Sequence, residues 1–136
     1  MEKTISVGSW NIWVFGDRDS EAIADLIRRN DIDVVGLQEV AKYFDEDTPK
    51  DMAREIADEL GYNYTFYPAV DFRPEKPYEM GNAVISKYPI VDSQCHDLNP
   101  EDLEYDGSYQ TEPRIAVEAE IDVDGNMVNF LSTHLQ

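Results

Sequence analysis

The sequence predicts an α/β fold in which helices are layered on a sheet. Two segments with apolar residues at helical spacing alternate with short apolar runs, and a series of strand-like segments follows them. The chain has 136 residues, of which 42% are hydrophobic, so it can form one domain with its own core. Since no linker, internal repeat or low-complexity segment interrupts it, we expect a single unit over residues 1–136.

The first third of the chain predicts two strands separated by a helix. Thr4–Ile12 has a strand pattern, and the polar residues Asp17–Ser20 precede an amphipathic helix over residues 20–29. Val34–Gln38 is a short apolar run, which is typical of a strand that is buried on both faces.

A second helix is predicted next. Thr48 and Asp51 resemble a capping box, and Pro49 occupies a position where a first-turn proline is tolerated. The apolar stripe of this helix includes Met52, and Gly61 is expected to end it.

The rest of the chain reads mainly as strands. They are predicted at Tyr62–Tyr67, Asn82–Ser86 and Ile90–Cys95, with loops at 69–80 and 97–112. A hairpin completes the pattern, since alternating apolar residues lie on both sides of the tight-turn pair Asp124-Gly125.

The charge balance is strongly acidic. Twenty-nine acidic residues against eleven basic ones give a formal net charge of −18, which repels the phosphate backbone of a nucleic acid at long range. The charge therefore does not support a basic nucleic-acid-binding surface. Two explanations remain open: solubility in a salty cytoplasm, where counter-ions screen the charge, or a partner that supplies positive charge.

Three polar residues follow apolar strands, at positions where α/β folds gather ligands and catalytic groups. They are Asn11 after the first strand, Glu39 after the second and His134 at the last. An amide oxygen and a carboxylate are hard donors that suit Mg²⁺, which binds few protein groups and keeps several waters. By spacing alone, these residues are also explained as turn residues or solvated strand ends.

Five short sequence motifs occur along the chain, and they strengthen the interpretation of these polar residues as a functional site. They are Ser9-Trp10-Asn11-Ile12, Gly36-Leu37-Gln38-Glu39-Val40, the segment Gly81–Ile90, Glu112-Pro113-Arg114 and Ser132-Thr133-His134-Leu135. Together they make the chain resemble the endonuclease/exonuclease/phosphatase superfamily, which includes DNase I-like nucleases. That resemblance implies half of a four-layer α/β sandwich: one mixed or antiparallel sheet with two helices packed on one face.

The resemblance also implies roles for individual residues. Glu39 would be the main ligand of Mg²⁺, with Mn²⁺ as an alternative, and Asn11 would help to hold the metal or the phosphate. His134 would donate to a phosphate oxygen in the transition state. Arg114 would contact the phosphate, although a strand-end charge is an equal alternative, and Tyr78 would contact the substrate. A carboxylate that orients the histidine in some members is replaced here by Met80.

Family members usually carry a second half with Gly-Asp-x-Asn and Ser-Asp-His motifs, and neither motif occurs in this sequence. We therefore expect an N-terminal half whose second sheet face is apolar and uncovered. The candidates for that face are Ile5, Val7, Val35, Val84 and Phe130. Such a face would exceed the exposed apolar area that a soluble monomer tolerates. We expect either a homodimer, which would imitate the pseudo-twofold sandwich, or a complementary C-terminal half.

These expectations combine into two functional hypotheses. The first is a Mg²⁺-dependent phosphodiesterase or nuclease-type phosphohydrolase, active only when a second copy or a C-terminal half completes it. The alternative is a non-catalytic half-domain that self-associates and at most binds metal or phosphate. Neither a signal peptide nor a run of about 18 apolar residues is seen, so no membrane span and a cytoplasmic location are expected.

Overall fold

The computed structural model describes residues 2–13 and 18–135, which form two helices and eight strands. In chain order these are β1 (Val7–Asn11), α1 (Ser20–Arg29), β2 (Val34–Tyr43), β3 (Lys50–Asp51), α2 (Met52–Leu60), β4 (Asn63–Asp71), β5 (Tyr78–Ser86), β6 (Ile90–Asp97), β7 (Ile115–Val123) and β8 (Asn126–Thr133), with a 3₁₀ helix at Tyr109–Thr111 before β7.

The strands form two sheets. The larger sheet has the order β1-β2-β5-β4, with the short β3 paired to β2, and the smaller sheet has the order β6-β7-β8. Strand β1 runs parallel to β2, whereas every other pair is antiparallel. The predicted α/β class, with a mixed sheet and two helices on one of its faces, is confirmed.

Helix α1 has the predicted bounds. The Asp19 carboxylate accepts a 2.9 Å hydrogen bond from the Ala22 N–H, which satisfies one of the open donors at the helix start. Arg28 and Arg29 lie in the last turn, where positive charge is favourable. Asp17, also predicted as a capping residue, lies outside the described residues.

Helix α2 begins later than the sequence predicted. Asp51, and not Thr48, is the N-cap, and its carboxylate accepts a 3.2 Å hydrogen bond from the Arg54 N–H. The capping-box prediction was wrong because Lys50 and Asp51 pair with β2 and keep the chain extended up to the helix start. Gly61 closes the helix with φ of 69°, as predicted.

The segment 69–80 was predicted as a loop, but half of it belongs to strands β4 and β5. The pairing of these strands extends to Asp71 and Glu79, because β5 lies between β2 and β4 and its ladder groups are satisfied on both sides. Only residues 72–77 connect the two strands. The consequence is a long hairpin that projects beyond the predicted strand ends.

The two helices cover one face of the larger sheet. Their buried residues Ala24, Ile27, Ala53 and Ile56 form a single cluster with strand residues, among them Leu37. All five side chains are at most 1% exposed, so this cluster is the principal core. At about 25 cal/mol per Å² of apolar surface, such burial is the main stabilising contribution to folding.

The opposite face of the larger sheet was expected to be uncovered, and that expectation was wrong. Val34 and Val84 on this face pack against Val117, Ala119 and Ile121 of the smaller sheet. Strands β6, β7 and β8 thus supply the second layer from within the same chain.

The expected face residues divide between several places. Ile5 and Phe130 pack beside the inter-sheet cluster with Val84, whereas Val35 belongs to the helix-side cluster. Val7 is 56% exposed. Val34, the neighbour of Val35, takes the inter-sheet position because successive strand residues point to opposite faces.

Among residues 2–13 and 18–135, four strands lie at sheet edges: β1 and β4 in the larger sheet and β6 and β8 in the smaller one. Strand β1 pairs only with β2, and β8 pairs only with β7. The eight residues of β8 include no charged residue and no proline, which are the usual protections of an edge strand. Neither α1 nor α2, the helices of the described chain, is long and apolar enough to cross a membrane.

Candidate active site

A small cleft opens where the two sheets meet, beside the middle of β2, the start of β7 and the end of β8. Its lining residues come from both sheets and the loops beside them: Glu39, Ala69, Met80, Gly81, Asn82, Pro113, Arg114, Ile115 and His134. Three residues that the sequence singled out, distant along the chain, therefore share one cleft: Glu39, Arg114 and His134.

Glu39 owes its position to a β-bulge in β2. Leu37 pairs with Ala83 and Val40 pairs with Gly81, so two β2 residues lie opposite Asn82 alone. Within the bulge Glu39 has φ of 54°, in the left-handed region that L-residues rarely adopt. Bulges of this kind redirect a side chain near functional sites. Here the carboxylate is placed in the cleft.

A second bulge lies at the same level on the other side of β5. Pro68 pairs with Gly81 and Val70 with Met80, which leaves Ala69 without a counterpart. Gly81 lies between the two bulges, where the backbones approach so closely that an added Cβ would meet the Tyr67 carbonyl oxygen at 1.9 Å. The cleft floor is therefore built on a position that only glycine fits.

Asn11 lies beside Glu39 on the neighbouring strand but does not line the cleft. It pairs with Gln38 in the parallel register of β1 and β2, and the next residue, Ile12, donates its N–H to the Gln38 carbonyl at 3.1 Å. The Asn11 amide oxygen accepts a 2.9 Å hydrogen bond from the Trp13 N–H. No second donor among residues 2–13 and 18–135 reaches this oxygen, which can accept one more hydrogen bond or a metal ion.

Two buried amides hold the strands around the cleft. Asn82 is 3% exposed and donates to the Ile115 carbonyl at 3.1 Å, and Thr133 donates to the same carbonyl at 2.9 Å. This shared acceptor fixes β5, β7 and β8 next to Arg114 and His134, which are the sequence neighbours of Ile115 and Thr133. Gln38 joins the sheets in a similar way through Ser132 at 3.1 Å.

Arg114 is the cationic group of the cleft. Its guanidinium forms a 2.7 Å ion pair with Glu112 through Nη1, and only 13% of its side chain is exposed. Nε and Nη2 are buried and have no hydrogen-bond partner among the described residues. A buried charged donor without a partner is costly, so these two donors favour an anion in the cleft.

His134 is half-buried and follows β8 directly. No carboxylate of the described residues forms an ion pair with it, and Glu79 instead lies 3.9 Å from Arg73. Met80, at the position where some relatives carry a carboxylate, is buried in the core beneath the helices.

Tyr78 lies in the helix-side core rather than in the cleft lining. Its ring packs on Tyr43 and Phe72, with ring centroids 5.5 and 5.1 Å away, and its hydroxyl has no hydrogen-bond partner among the described residues. Burial raises the pKa of Tyr78, and the nearby charges of Glu112 and Glu39 act in the same direction. Its predicted contact with substrate stays a prediction.

The donor set near the cleft fits a sparsely coordinated hard cation. Among the described residues, no group of three His, Cys, Asp or Glu side chains could enclose a metal ion. Asn11 lies at the end of β1, whereas Glu39 lies within β2, which continues to Tyr43 and does not end before Glu39 as the sequence predicted. The two residues are one position apart in register on neighbouring strands. One carboxylate with an amide oxygen is compatible with Mg²⁺, which keeps most of its water ligands, and does not suit a closed Zn²⁺ site.

The sequence did not assign roles to Asn82 and Gln38, although both proved to be structural supports of the cleft. Each is a buried amide within an apolar strand, at 3% and 7% exposure. A polar residue inside an otherwise apolar run is the signal that could have found them, because burial requires it to be hydrogen-bonded.

Solved structures share this fold over almost the whole chain. An endonuclease/exonuclease/phosphatase family protein from Leptotrichia buccalis C-1013-b matches with a TM-score of 0.74 and 17% identity, covering 98% of this chain and 55% of the other. An endonuclease/exonuclease/phosphatase from Beutenbergia cavernae DSM 12333 matches at 0.68 and 26%, covering 93% and 37%. The catalytic domain of human nocturnin with a bound sulfate anion matches at 0.63 and 22%, covering 97% and 49%.

The chain thus spans roughly half of these proteins or less. No curated protein sequence matches it. A model of the Endonuclease/Exonuclease/phosphatase family matches residues 8–121, a range that contains Asn11, Glu39 and Arg114. Since this range is most of the chain, the protein belongs to the endonuclease/exonuclease/phosphatase family.

Proposed function

We propose that this protein supplies part of the active site, including Glu39 and His134, of a Mg²⁺-dependent phosphohydrolase of the phosphodiesterase or nuclease type. Membership of the family supports a phosphoesterase function in general terms. The observation that carries the more specific proposal is the cleft, which gathers a carboxylate, a guanidinium with two open donors and an imidazole from both sheets.

The roles follow from the donor chemistry of each side chain. Arg114 would donate from Nε and Nη2 to two oxygens of the phosphate, a geometry for which guanidinium is well suited. His134 would donate to a phosphate oxygen and stabilise the charge that develops there. Glu39 and Asn11 would hold Mg²⁺, or Mn²⁺ in its place. When bound, the metal supplies Lewis-acid stabilisation of the phosphate charge.

A partner is part of the proposal. The groups that position the attacking water and stabilise the leaving group have no counterpart among the cleft residues. We propose that a second copy of the chain, or a complementary C-terminal half, supplies them. The open edges of β1 and β8 support this, because each offers unpaired backbone groups to which another strand could bind.

Metal-dependent hydrolysis of bis-(p-nitrophenyl) phosphate tests the catalytic proposal. Glu39→Gln and His134→Asn are each expected to lower the rate by about 10²-fold or more. Glu21→Gln and His96→Asn are the matched controls, since both lie outside the cleft. Equal rates in cleft and control variants, or full activity after metal removal, would refute the proposal.

One observation favours the alternative, a half-domain that binds metal or phosphate without turnover. The described residues that line the cleft include one carboxylate, one guanidinium and one imidazole, and no second carboxylate that could position an attacking water. This alternative predicts no hydrolysis with any metal, while Mg²⁺ or phosphate still raises the Tm in wild type but not in the Glu39 or Arg114 variants. Light scattering at several protein concentrations separates a dimer from a monomer in either case.

The substrate and the location are also parts of this proposal. The substrate class that the cleft suits is a phosphate ester, and the net charge of −18 argues against a long duplex held by its backbone. We assign the protein to the cytoplasm, supported by the single cysteine, Cys95, which leaves no pair for an intrachain disulfide.

A further inference from the structure

Arg114 forms a buried ion pair with a carboxylate two residues before it in the chain. Its Nη1 donates to Glu112 at 2.7 Å, and the two side chains are only 13% and 10% exposed. The other two nitrogens of the guanidinium, Nε and Nη2, are buried and have no hydrogen-bond partner among residues 2–13 and 18–135. Glu112 thus engages one nitrogen of the guanidinium, while the other two stay open for a ligand.

The local sequence explains why this ion pair forms. Glu112 precedes Pro113, and a residue before proline favours an extended backbone, here with φ of −62° and ψ of 128°. In an extended chain, residues two apart project to the same side, so Glu112 and Arg114 meet across the proline. The Arg114 N–H donates to the Asn99 side chain at 2.6 Å, and the guanidinium lies over the Tyr109 ring, 5.2 Å from its centroid. The guanidinium is therefore held in place before any ligand binds.

The ion pair changes what Arg114 offers to an anion. Because both partners are buried, salt screens their interaction poorly. Glu112 therefore offsets the positive charge of Arg114, yet it leaves Nε and Nη2 as two parallel hydrogen-bond donors. No other Lys or Arg of the described residues lines the cleft, and the chain carries a net charge of −18. The protein thus provides directional donors for an anion in the cleft without a surplus of positive charge.

From this arrangement we propose that Glu112 is a specificity-determining residue, which makes the cleft select a singly charged phosphate over a doubly charged one. A phosphodiester carries one negative charge, shared by two non-bridging oxygens, and the two open donors of Arg114 match these oxygens. A phosphomonoester carries close to two negative charges above about pH 7, and its second charge meets the Glu112 carboxylate instead of a cation. This inference rests on the proposed function, because it takes the cleft as the phosphate site.

The test compares two small phosphate esters that differ in charge. Dimethyl phosphate and methyl phosphate are titrated into the whole protein at about pH 8, where the monoester is doubly charged, without divalent metal. Binding is followed by NMR at the backbone amide of Arg114. We expect the wild type to bind dimethyl phosphate at least as tightly as methyl phosphate. Glu112→Gln keeps an acceptor for Nη1 but removes the charge, so it should shift the ratio of the two Kd values toward methyl phosphate by about tenfold.

The matched control is Glu104→Gln, which makes the same change of charge at an exposed position between β6 and β7. It should keep the wild-type ratio, and a shift equal to that of Glu112→Gln would overturn the inference. A wild type that binds methyl phosphate more tightly than dimethyl phosphate overturns it without any variant. An unchanged ratio in Glu112→Gln refutes the role of Glu112 while the phosphate site stands. If neither ester binds the wild type, the proposed phosphate site fails together with the inference.

Discussion

Gln38 Nε2 donates a 3.1 Å hydrogen bond to Ser132 Oγ, across the interface between the two sheets. The serine hydroxyl in turn donates to the Leu37 carbonyl at 3.2 Å, and Gln38 also reaches Ser9 on β1 at 3.3 Å. This chain of hydrogen bonds connects β1, β2 and β8 one or two residues before Asn11, Glu39 and His134, the candidate site residues of these segments. It therefore couples the inter-sheet distance to the positions of Asn11 and His134.

We expect Ser132→Ala to lower the free energy of unfolding by about 1–3 kcal/mol, because the Leu37 carbonyl and the Gln38 amide lose a buried partner. Denaturant titration measures the change. Ser93→Ala is a suitable comparison, since Ser93 also bonds across the sheets, to Tyr67 at 2.9 Å, but is only half-buried. A loss no larger than that of Ser93→Ala would show that the Gln38–Ser132 bond is not a principal support.

Gly81→Ala should destabilise the protein by about 3 kcal/mol or more. The added Cβ would meet backbone atoms of the Tyr67–Pro68 segment at 1.9 and 2.7 Å, and neither atom can move without breaking the β4–β5 ladder. Gly8→Ala is the control, because its nearest neighbour is an Ile32 side-chain methyl at 3.3 Å. Thermal unfolding of the two variants compares them directly, and similar Tm values would contradict the predicted clash.

Glu39→Gly is expected to be more stable than Glu39→Ala by about 1 kcal/mol, although both remove the carboxylate. The reason is the φ of 54° at this position, which glycine adopts without a steric cost. Equilibrium unfolding of the two variants isolates the backbone contribution. If alanine proved equal to glycine or better, the bulge would not hold Glu39 in the left-handed region in solution.

The loop before Arg114 should respond to acid. Hydrogen bonds from Ser108 and Thr111 lower the pKa of Asp106 from 3.8 to about 2. A carboxyl with a depressed folded-state pKa stabilises its loop above about pH 4, and that stabilisation is lost as the pH falls toward about 2. NMR titration of Asp106 should show the low midpoint, and Thr111→Val should raise it. A wild-type midpoint near 3.8 would contradict the bonded loop.

Local sequence signals predicted the elements whose determinants are also local. Asp19 and the apolar spacing located α1, and Gly61 located the end of α2. The start of α2 was missed because the extension of the chain up to Asp51 depends on pairing with β2. The long β4–β5 hairpin was missed for a similar reason, since the strand status of Tyr78 depends on partners on both sides of β5.

The site was predicted unevenly, and the reason is again distance along the chain. The sequence motifs identified Glu39, Arg114 and His134, which the structure brings into one cleft, although Glu39 lies within β2 and not after it. The second sheet was not foreseen as the cover of the first, because alternation in a strand shows which residues are buried but not what buries them. We predicted an uncovered sheet face because the sequence did not show what covers it. The contacts of Val84 with β7 show that the second sheet of the same chain covers this face.

Glu39 comes from one sheet and Arg114 and His134 flank strands of the other, so no single sheet holds the whole candidate site. The distances between the cleft residues therefore depend on the relative position of the two sheets. A conservative change in the interface, such as Val117→Ala or Val84→Ala, would alter the spacing of the cleft residues without touching any of them. Selection for activity would then act on the inter-sheet core as strongly as on the cleft, and second-site suppressors of cleft variants should arise among these buried residues.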